Sequence, residues 1–64
     1  MVSNNLRKIR LERHLAQKDI ADAIGICTRT INRIEKGEST SLEIALLISS
    51  YLDLRVEDIF FEHH

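Results

Sequence analysis

Proline is absent from the sequence, and its 64 residues include only one cysteine, two glycines and three aromatic residues. A single cysteine excludes both a disulfide framework and a cysteine-rich zinc site. The apolar runs fall well short of the roughly 20 residues that a membrane-spanning helix needs. The N-terminus also lacks the apolar segment of a secretory signal. These absences predict a soluble protein of the reducing cytoplasm.

Arrangements typical of catalysis or metal binding are also missing. No carboxylate pair, Ser/His/Asp set or phosphate-binding loop stands out, so we do not expect an enzyme. His14 has no second ligand at metal-binding spacing, and it suits the last turn of a helix, where a cation is favourable. His63 and His64 are either native residues or the remnant of a purification tag. The sequence therefore predicts no metal, no cofactor and no small-molecule ligand.

Charge is divided unevenly along the chain, although the net charge is only −1. Residues 1–37 contain eight Lys/Arg and four Asp/Glu, whereas residues 38–64 contain one Arg and six Asp/Glu. The two halves therefore carry net charges of +4 and −5. A basic half favours an anionic partner such as nucleic acid. Taken alone, the charges are explained equally well by chance variation in a small domain.

Apolar spacing is helical along nearly the whole chain, and helix-favouring residues are abundant. We predict one all-α domain spanning residues 1–64, with helices at residues 5–14, 17–24, 28–36, 41–52 and 56–60. Thr40 and Glu43 have the spacing of a capping box at the start of the fourth helix. The buried face of that helix is expected to comprise Leu42, Ala45, Ile48, Ser49 and Leu52. Strand character at the two ends, residues 1–3 and 60–62, predicts that they pair with each other.

The second and third predicted helices, residues 17–24 and 28–36, are joined by a short turn. The small Ala21 permits a close helix crossing, and Gly25 tolerates the positive φ that ends a helix sharply. Apolar residues occupy the positions that would fix the angle between the helices: Ile20, Ile24, Ile26, Ile31 and Ile34. These seven positions together predict a helix-turn-helix, in which the second helix enters the major groove of DNA.

The outward face of the third helix is polar. With Ile31 and Ile34 buried, helical spacing directs the following residues outward: Thr28, Arg29, Asn32, Arg33 and Lys36. An arginine fork matches guanine O6 and N7, asparagine pairs with adenine, and threonine contacts the thymine methyl group. We therefore predict base contacts from Thr28, Arg29, Asn32 and Arg33. Gln17 and Lys18, at the start of the preceding helix, are predicted to contact phosphate. A solvated charged face is the alternative, which the helix-turn-helix context disfavours.

The sequence resembles the phage-repressor and Cro-like (XRE-type) helix-turn-helix family over the run LRKIRLERHLAQKDIADAIGICTRTINRIEKG. The closing two helices of the family resemble SLEIALLISSYLDLRVEDIFF. The resemblance implies a five-helix, lambda-repressor-like domain, usually dimeric, that represses or activates transcription at a short palindromic operator. It also implies that Arg10 pairs with Glu35 while facing the DNA backbone. The resemblance further implies that Gln17 contacts phosphate and that bases are read by Thr28, Arg29 and Arg33.

Two positions depart from the family pattern. Family members usually have a basic residue and a proline in the loop before the fourth helix, whereas residues 38–41 are Glu-Ser-Thr-Ser. The loop therefore lacks a basic side chain for phosphate, and the hydroxyl of Ser39 or Thr40 is only a weak substitute. We predict phosphate contacts from Thr40 and, at the end of the third helix, from Lys36. Cys27 occupies the place of the usual capping serine and is a poor cap. A thiol at a helix N-terminus also permits a redox switch, with a small turn residue as the alternative.

A second apolar stripe on the fourth helix exceeds what a small monomer can bury. A chain of this size buries only about 60% of its unfolded surface, so self-association would stabilise it. We predict a homodimer whose interface comprises Ile44, Leu47, Tyr51, Val56, Ile59, Phe60 and Phe61. Packing of these residues within one chain is the alternative.

These observations predict a homodimeric, sequence-specific transcriptional regulator that acts as a repressor at a palindromic operator on double-stranded DNA. The alternative is a protein-interaction module of the same fold, such as an antitoxin or antirepressor, whose acidic second half binds a partner protein. An interaction module has no need for Arg10, Gln17, Arg29 and Arg33 together. Their combination favours the DNA-binding function.

Overall fold

The computed structural model describes residues 2–62, with side chains described for residues 4–61. Met1, His63 and His64 lie outside the described residues, and so does the hypothesis that the two histidines come from a tag. The elements in chain order are β1 (Val2–Asn4), α1 (Leu6–Glu12), α2 (Gln17–Ile24), α3 (Thr28–Glu35), α4 (Leu42–Leu52), α5 (Val56–Ile59) and β2 (Phe60–Glu62). The predicted all-α, five-helix fold with a small pairing of its ends is confirmed.

The two strands join the ends of the described chain. They run antiparallel, with Val2 opposite Glu62 and Asn4 opposite Phe60. The pairing continues into the helices, because the Asn5 N–H donates to the Ile59 carbonyl at 2.8 Å. The start of α1 is therefore held against the end of α5.

The bounds of the first three helices lie close to their predicted positions. α2 begins and ends at the predicted residues, because Gly25 adopts a left-handed conformation (φ 78°) and its N–H donates to the Ala21 carbonyl at 2.9 Å. α1 is shorter than predicted, and His14 lies beyond it in a left-handed turn with φ 57°. α3 ends at Glu35 and Lys36 is its C-cap.

The start of α4 differs from the prediction. Ser41 is the N-cap residue, and its Oγ accepts a hydrogen bond from the Ile44 N–H at 3.2 Å. The predicted capping box of Thr40 with Glu43 is therefore wrong, because the cap is Ser41, one residue after Thr40. Both Thr40 and Ser41 carry a hydroxyl group that can cap a helix, and the chain enters the helix at the second.

The core is built from aliphatic side chains that all five helices contribute. Its members are Leu6, Ile20, Ala21, Ile31, Ile34, Ile48, Leu52 and Ile59. Burial of one Leu or Ile side chain contributes about 1.5–3 kcal/mol, so this cluster is the main force that fixes α2 and α3 against the rest of the chain. Within residues 2–62, none of the helices has the length and apolar character needed to cross a membrane.

Two apolar residues are placed differently from the sequence prediction. Leu42 was expected in the core but is 70% exposed, because it lies in the first turn of α4, ahead of Ala45, the first buried residue of that helix. Ile59 was expected at the dimer interface but is fully buried in the core cluster. Ile59 is therefore a structural residue of the single chain.

Candidate DNA-binding surface

The α2–turn–α3 unit has the geometry that its sequence demands. Ala21 is completely buried where α2 meets α3, so the absence of a larger side chain allows the close crossing. Both Gly25 and Ile26 donate their N–H groups to the Ala21 carbonyl, at 2.9 and 3.0 Å. Ile31 and Ile34 are buried on the inner side of α3. The opposite side of α3 is consequently turned away from the core.

This outer side of α3 carries most of the predicted base-reading residues. Thr28, Arg29 and Arg33 are exposed, and Asn32 is half-buried. Arg33 is engaged by Glu38, since its Nη2 lies 3.2 Å from Glu38 Oε1. Hydrogen bonding to Glu38 raises the pKa of Arg33, and its guanidinium is positively charged, as that of any arginine in a protein is. Arg29 and Arg33 make this exposed helix face basic, and Glu38 offsets part of the charge of Arg33.

An ion pair links the three helices behind this face. Arg10 Nε in α1 donates to Glu35 Oε2 in α3 at 2.7 Å, and Arg10 Nη2 donates to Oε1 at 3.2 Å. Gln17 Nε2, at the start of α2, donates to the same Oε1 at 3.1 Å. The two charged side chains are only 11% and 4% exposed. The hydrogen bond that Arg10 donates to Glu35 raises the pKa of Arg10, and the pair with Gln17 connects α1, α2 and α3.

A polar recess opens beside this ion pair. It has a volume of about 260 Å³ and is lined by Arg7, Arg10, Gln17, Asn32, Glu35 and Lys36. The recess lies between α1, the N-terminus of α2 and the polar side of α3. Its cationic side chains, together with the backbone N–H groups at the start of α2, suit a phosphate group. Sequence reasoning missed Arg7, although it lies three residues before Arg10 and helical spacing places both side chains on the same face of α1.

Lys18 and Thr40, both predicted to contact phosphate, are placed outside this recess. Lys18 Nζ pairs with Asp22 at 2.7 Å on the exposed side of α2. Thr40 Oγ1 is buried and, within the described part of the chain, has no hydrogen-bond partner. Its residue lines an open, largely apolar cavity of about 280 Å³, together with Leu42 and Phe60. The phosphate contact of Thr40 stays a prediction, and in this conformation its hydroxyl is buried beside an apolar cavity.

Asn4 holds the end of α3 in place. Its Nδ2 donates to the Ile34 carbonyl at 2.8 Å, and its Oδ1 accepts from the Leu6 N–H at 3.1 Å. One side chain thereby connects β1, α1 and the last turn of α3. The sequence carries no signal for the first of these bonds, since Asn4 and Ile34 are 30 residues apart.

Cys27 is the N-cap residue of α3 and makes no capping hydrogen bond with its side chain. It is exposed, and its Sγ lies 3.2 Å from Thr30 Oγ1. Within residues 2–62, no three His, Cys, Asp or Glu side chains come together as a metal site would require.

The residues predicted to form the dimer interface are only partly available. Leu47, Tyr51 and Phe61 are exposed, whereas Ile44, Val56 and Phe60 are half-buried. Leu46, which the sequence prediction did not include, is 50% exposed on α4. The available apolar surface therefore lies mainly on α4 around Leu46, Leu47 and Tyr51.

The fold and this basic surface define a helix-turn-helix domain of the DNA-binding type. A helix-turn-helix family model matches residues 6–59. The chain therefore belongs to the XRE-type helix-turn-helix family of transcriptional regulators, as the sequence resemblance predicted.

Similar proteins support this classification. An uncharacterized HTH-type transcriptional regulator of Methanocaldococcus jannaschii is 37% identical over 60 residues, which are 92% of this chain and 91% of the relative. The uncharacterized HTH-type transcriptional regulator YgzD of Bacillus subtilis is 28% identical over the same shares of the two chains. The crystal structure of the transcriptional regulator VanUg superposes with a TM-score of 0.79 at 31% identity, covering 94% of this chain and 81% of that one.

Proposed function

We propose that this protein is a homodimeric transcriptional repressor of the cytoplasm that binds a palindromic operator on double-stranded DNA. The single observation that supports this function best is the exposed pair Arg29 and Arg33 on the outer side of α3, backed by a buried helix-turn-helix core. In the proposed complex α3 lies in the major groove. Its base contacts come from Thr28, Arg29, Asn32 and Arg33, of which the arginines take guanine.

Phosphate contacts flank these base contacts in the proposed complex. Gln17 uses one amide hydrogen on Glu35, which leaves the second hydrogen and the N-terminus of α2 for a phosphate oxygen. Arg7 and Lys36 line the same recess and add positive charge. Arg10 contributes positive charge from the inner wall of the recess. Lys18 contacts the DNA backbone from the exposed side of α2.

Two copies would read two half-sites. The apolar residues on the outer side of α4 supply the proposed contact, since exposed Leu46, Leu47 and Tyr51 are costly to leave in water. A two-fold axis through this surface makes the contact self-complementary. It would also place two copies of α3 about 34 Å apart, in successive major grooves.

The experiment that tests this function is in vitro selection from random duplex DNA by the purified protein near physiological salt. We expect enrichment of a two-fold symmetric site whose half-site centres lie about 10 base pairs apart. A folded protein that enriches no sequence would overturn the proposal. The acidic second half would then point to the interaction-module alternative, which a pull-down of partner proteins tests directly.

Two variants separate base reading from phosphate contact on the selected site. Arg33→Ala should cost about 1–3 kcal/mol and relax the preference at one base position. Gln17→Ala should weaken binding to all sequences similarly, because a phosphate carries no sequence information. Fluorescence anisotropy with the selected duplex and with single-base variants of it measures both effects. Equal losses on every sequence for both variants would contradict base reading by Arg33.

A further inference from the structure

Glu38 is an acidic residue beside a surface where DNA binding calls for positive charge. It contacts Arg33 through both carboxylate oxygens, since Oε1 and Oε2 each lie 3.2 Å from Arg33 Nε. Oε1 also accepts from Arg33 Nη2 at 3.2 Å. The carboxylate therefore engages one edge of the guanidinium, the edge formed by Nε and Nη2.

The backbone holds Glu38 in this position. α3 ends in a Schellman motif, in which the Gly37 N–H donates to the Ile34 carbonyl at 2.9 Å and the Glu38 N–H donates to the Arg33 carbonyl at 3.1 Å. This motif needs a left-handed residue directly before Glu38, and Gly37 supplies it with φ 97°. Glu38 is thus bonded to the main chain of the same residue whose side chain it contacts.

The contact leaves open the part of Arg33 that recognises a base. An arginine has five N–H donors in a fixed planar fork. Because Glu38 occupies Nε and one side of Nη2, the Nη1 group and the outer hydrogen of Nη2 remain available. A guanidinium fork that points end-on is the donor pair that matches guanine O6 and N7. A side chain held at one edge also loses less freedom when the other edge binds.

We propose that Glu38 is a positioning residue that orients Arg33 for guanine and so determines specificity at one base of each half-site. This inference rests on the proposed function. An exposed ion pair is weak in water, but insertion into the groove removes water from the pair and strengthens it. The carboxylate also repels nearby phosphates. Glu38 therefore lowers the affinity for DNA of any sequence while it raises the preference for guanine.

The test compares Glu38→Ala with a matched control, Glu57→Ala. Glu57 also forms an exposed pair with an arginine, Arg55 Nε at 2.9 Å, but on α5. Fluorescence anisotropy would measure binding to the duplex that the wild type selects and to a random-sequence duplex. It would also measure binding to three versions of the selected duplex, in which another base replaces the guanine whose preference is lost in Arg33→Ala. Far-ultraviolet circular dichroism confirms that each variant is folded.

We expect Glu38→Ala to lower the preference for guanine about 3- to 5-fold, the size of one ordered surface pair. The same variant should bind the random duplex more tightly than the wild type. Removing Glu38 in an Arg33→Ala background should leave the base preference unchanged, because the residue acts through Arg33. Glu57→Ala should behave as the wild type does on every duplex.

Three results would overturn the inference while leaving the proposed function intact. In the first, Glu38→Ala keeps the full guanine preference although Arg33→Ala loses it. In the second, Glu38→Ala binds the guanine site with a higher preference, which would make Glu38 a competitor of DNA for Arg33. In the third, the two residues affect different base positions, which would mean that Glu38 contacts DNA itself. A wild type that selects no sequence would instead remove the proposed function, and this inference with it.

Discussion

At the scale of single residues, the chemistry of Cys27 is set by its neighbours at the start of α3. The hydrogen bond from the Thr30 side chain lowers the pKa of the Cys27 thiol, and backbone N–H groups of Thr30 and Arg29 act in the same direction. These interactions place partial positive charge near the sulfur, so they favour the thiolate. Because the thiolate is the nucleophilic form, the reactivity of Cys27 extends to lower pH than that of an ordinary cysteine.

Replacing Thr30 with valine should raise the pKa of Cys27. Valine keeps the β-branched shape but lacks the hydroxyl group, which lies 3.2 Å from the sulfur and can donate to the thiolate. The rate of alkylation by iodoacetamide increases with pH as the thiolate forms. In Thr30→Val this increase should occur at a higher pH than in the wild type. Cys27 is the only cysteine of the chain, so the signal needs no correction. Identical pH profiles would show that the threonine hydroxyl does not stabilise the thiolate.

At the scale of helices and strands, the Arg10–Glu35 pair fixes the relative positions of α1, α2 and α3. Glu35 accepts from Arg10 and from Gln17, while Arg10 Nη1 donates to the Leu15 carbonyl at 2.9 Å. Every group in this network is paired in a site of low exposure. Removal of one partner leaves the other charge without its hydrogen bonds, at a site that is exposed only through the polar recess, and this costs more than the pair itself contributes.

We expect Glu35→Ala to lower the free energy of unfolding by about 1–3 kcal/mol, because Arg10 and Gln17 lose their hydrogen-bond acceptor at a poorly exposed site. Glu38→Ala is the matched control, because it also breaks an arginine–glutamate pair at this end of α3 but an exposed one. Its effect should remain within about 1 kcal/mol. Urea denaturation followed by circular dichroism measures both. Similar losses in the two variants would mean that burial of the Arg10–Glu35 pair is not what makes it costly to break.

The helices were largely predictable from the sequence, because apolar spacing and Gly25 determine them locally. The details of α4 were not. Thr40 and Ser41 are equally suitable caps, and the choice depends on how residues 38–41 approach the core, where Thr40 lies beside Phe60. Leu42 is exposed because it lies in the first turn of α4, ahead of Ala45, the first buried residue of that helix. Helical spacing alone cannot say where a helix first contacts its neighbours.

The candidate site was predictable to a smaller extent. The polar side of α3 followed from the burial of Ile31 and Ile34, but the Arg10–Glu35 pair was implied only by family resemblance, since its members are 25 residues apart. The contact of Glu38 with Arg33 depends on the backbone at Gly37 and on side-chain rotamers. The bond from Asn4 to Ile34 depends on tertiary structure alone.

At the scale of the whole molecule, the chain has two distinct surfaces. One is the basic side of α3 with the adjoining polar recess, and the other is the apolar outer side of α4. The charge difference between residues 1–37 and 38–64 follows this division, since α1–α3 belong to the first part and α4–α5 to the second. Because the surfaces are separate, the proposed DNA binding and the proposed dimer formation can be tested independently.

Leu47→Glu should dissociate the proposed dimer without unfolding the chain. Leu47 is exposed, so a charge there costs little in the monomer but would be buried without a partner in the interface. Leu11→Glu, on α1, is the control, because Leu11 is also exposed but lies outside the proposed interface. Sedimentation equilibrium should show at least a 10-fold weaker dimer for Leu47→Glu only, which corresponds to about 1.4 kcal/mol. Dissociation by Leu11→Glu instead would place the interface on α1.

The pairing of β1 with β2 has a consequence for protein engineering. Because Val2 lies opposite Glu62, a short flexible linker can connect the two ends without moving a helix. A circular permutant can then be opened between α4 and α5, where Asp53 and Arg55 are exposed. Its chain would begin with α5 and reach the helix-turn-helix after the linker. The order of the helices in the gene is thus separable from their arrangement in space.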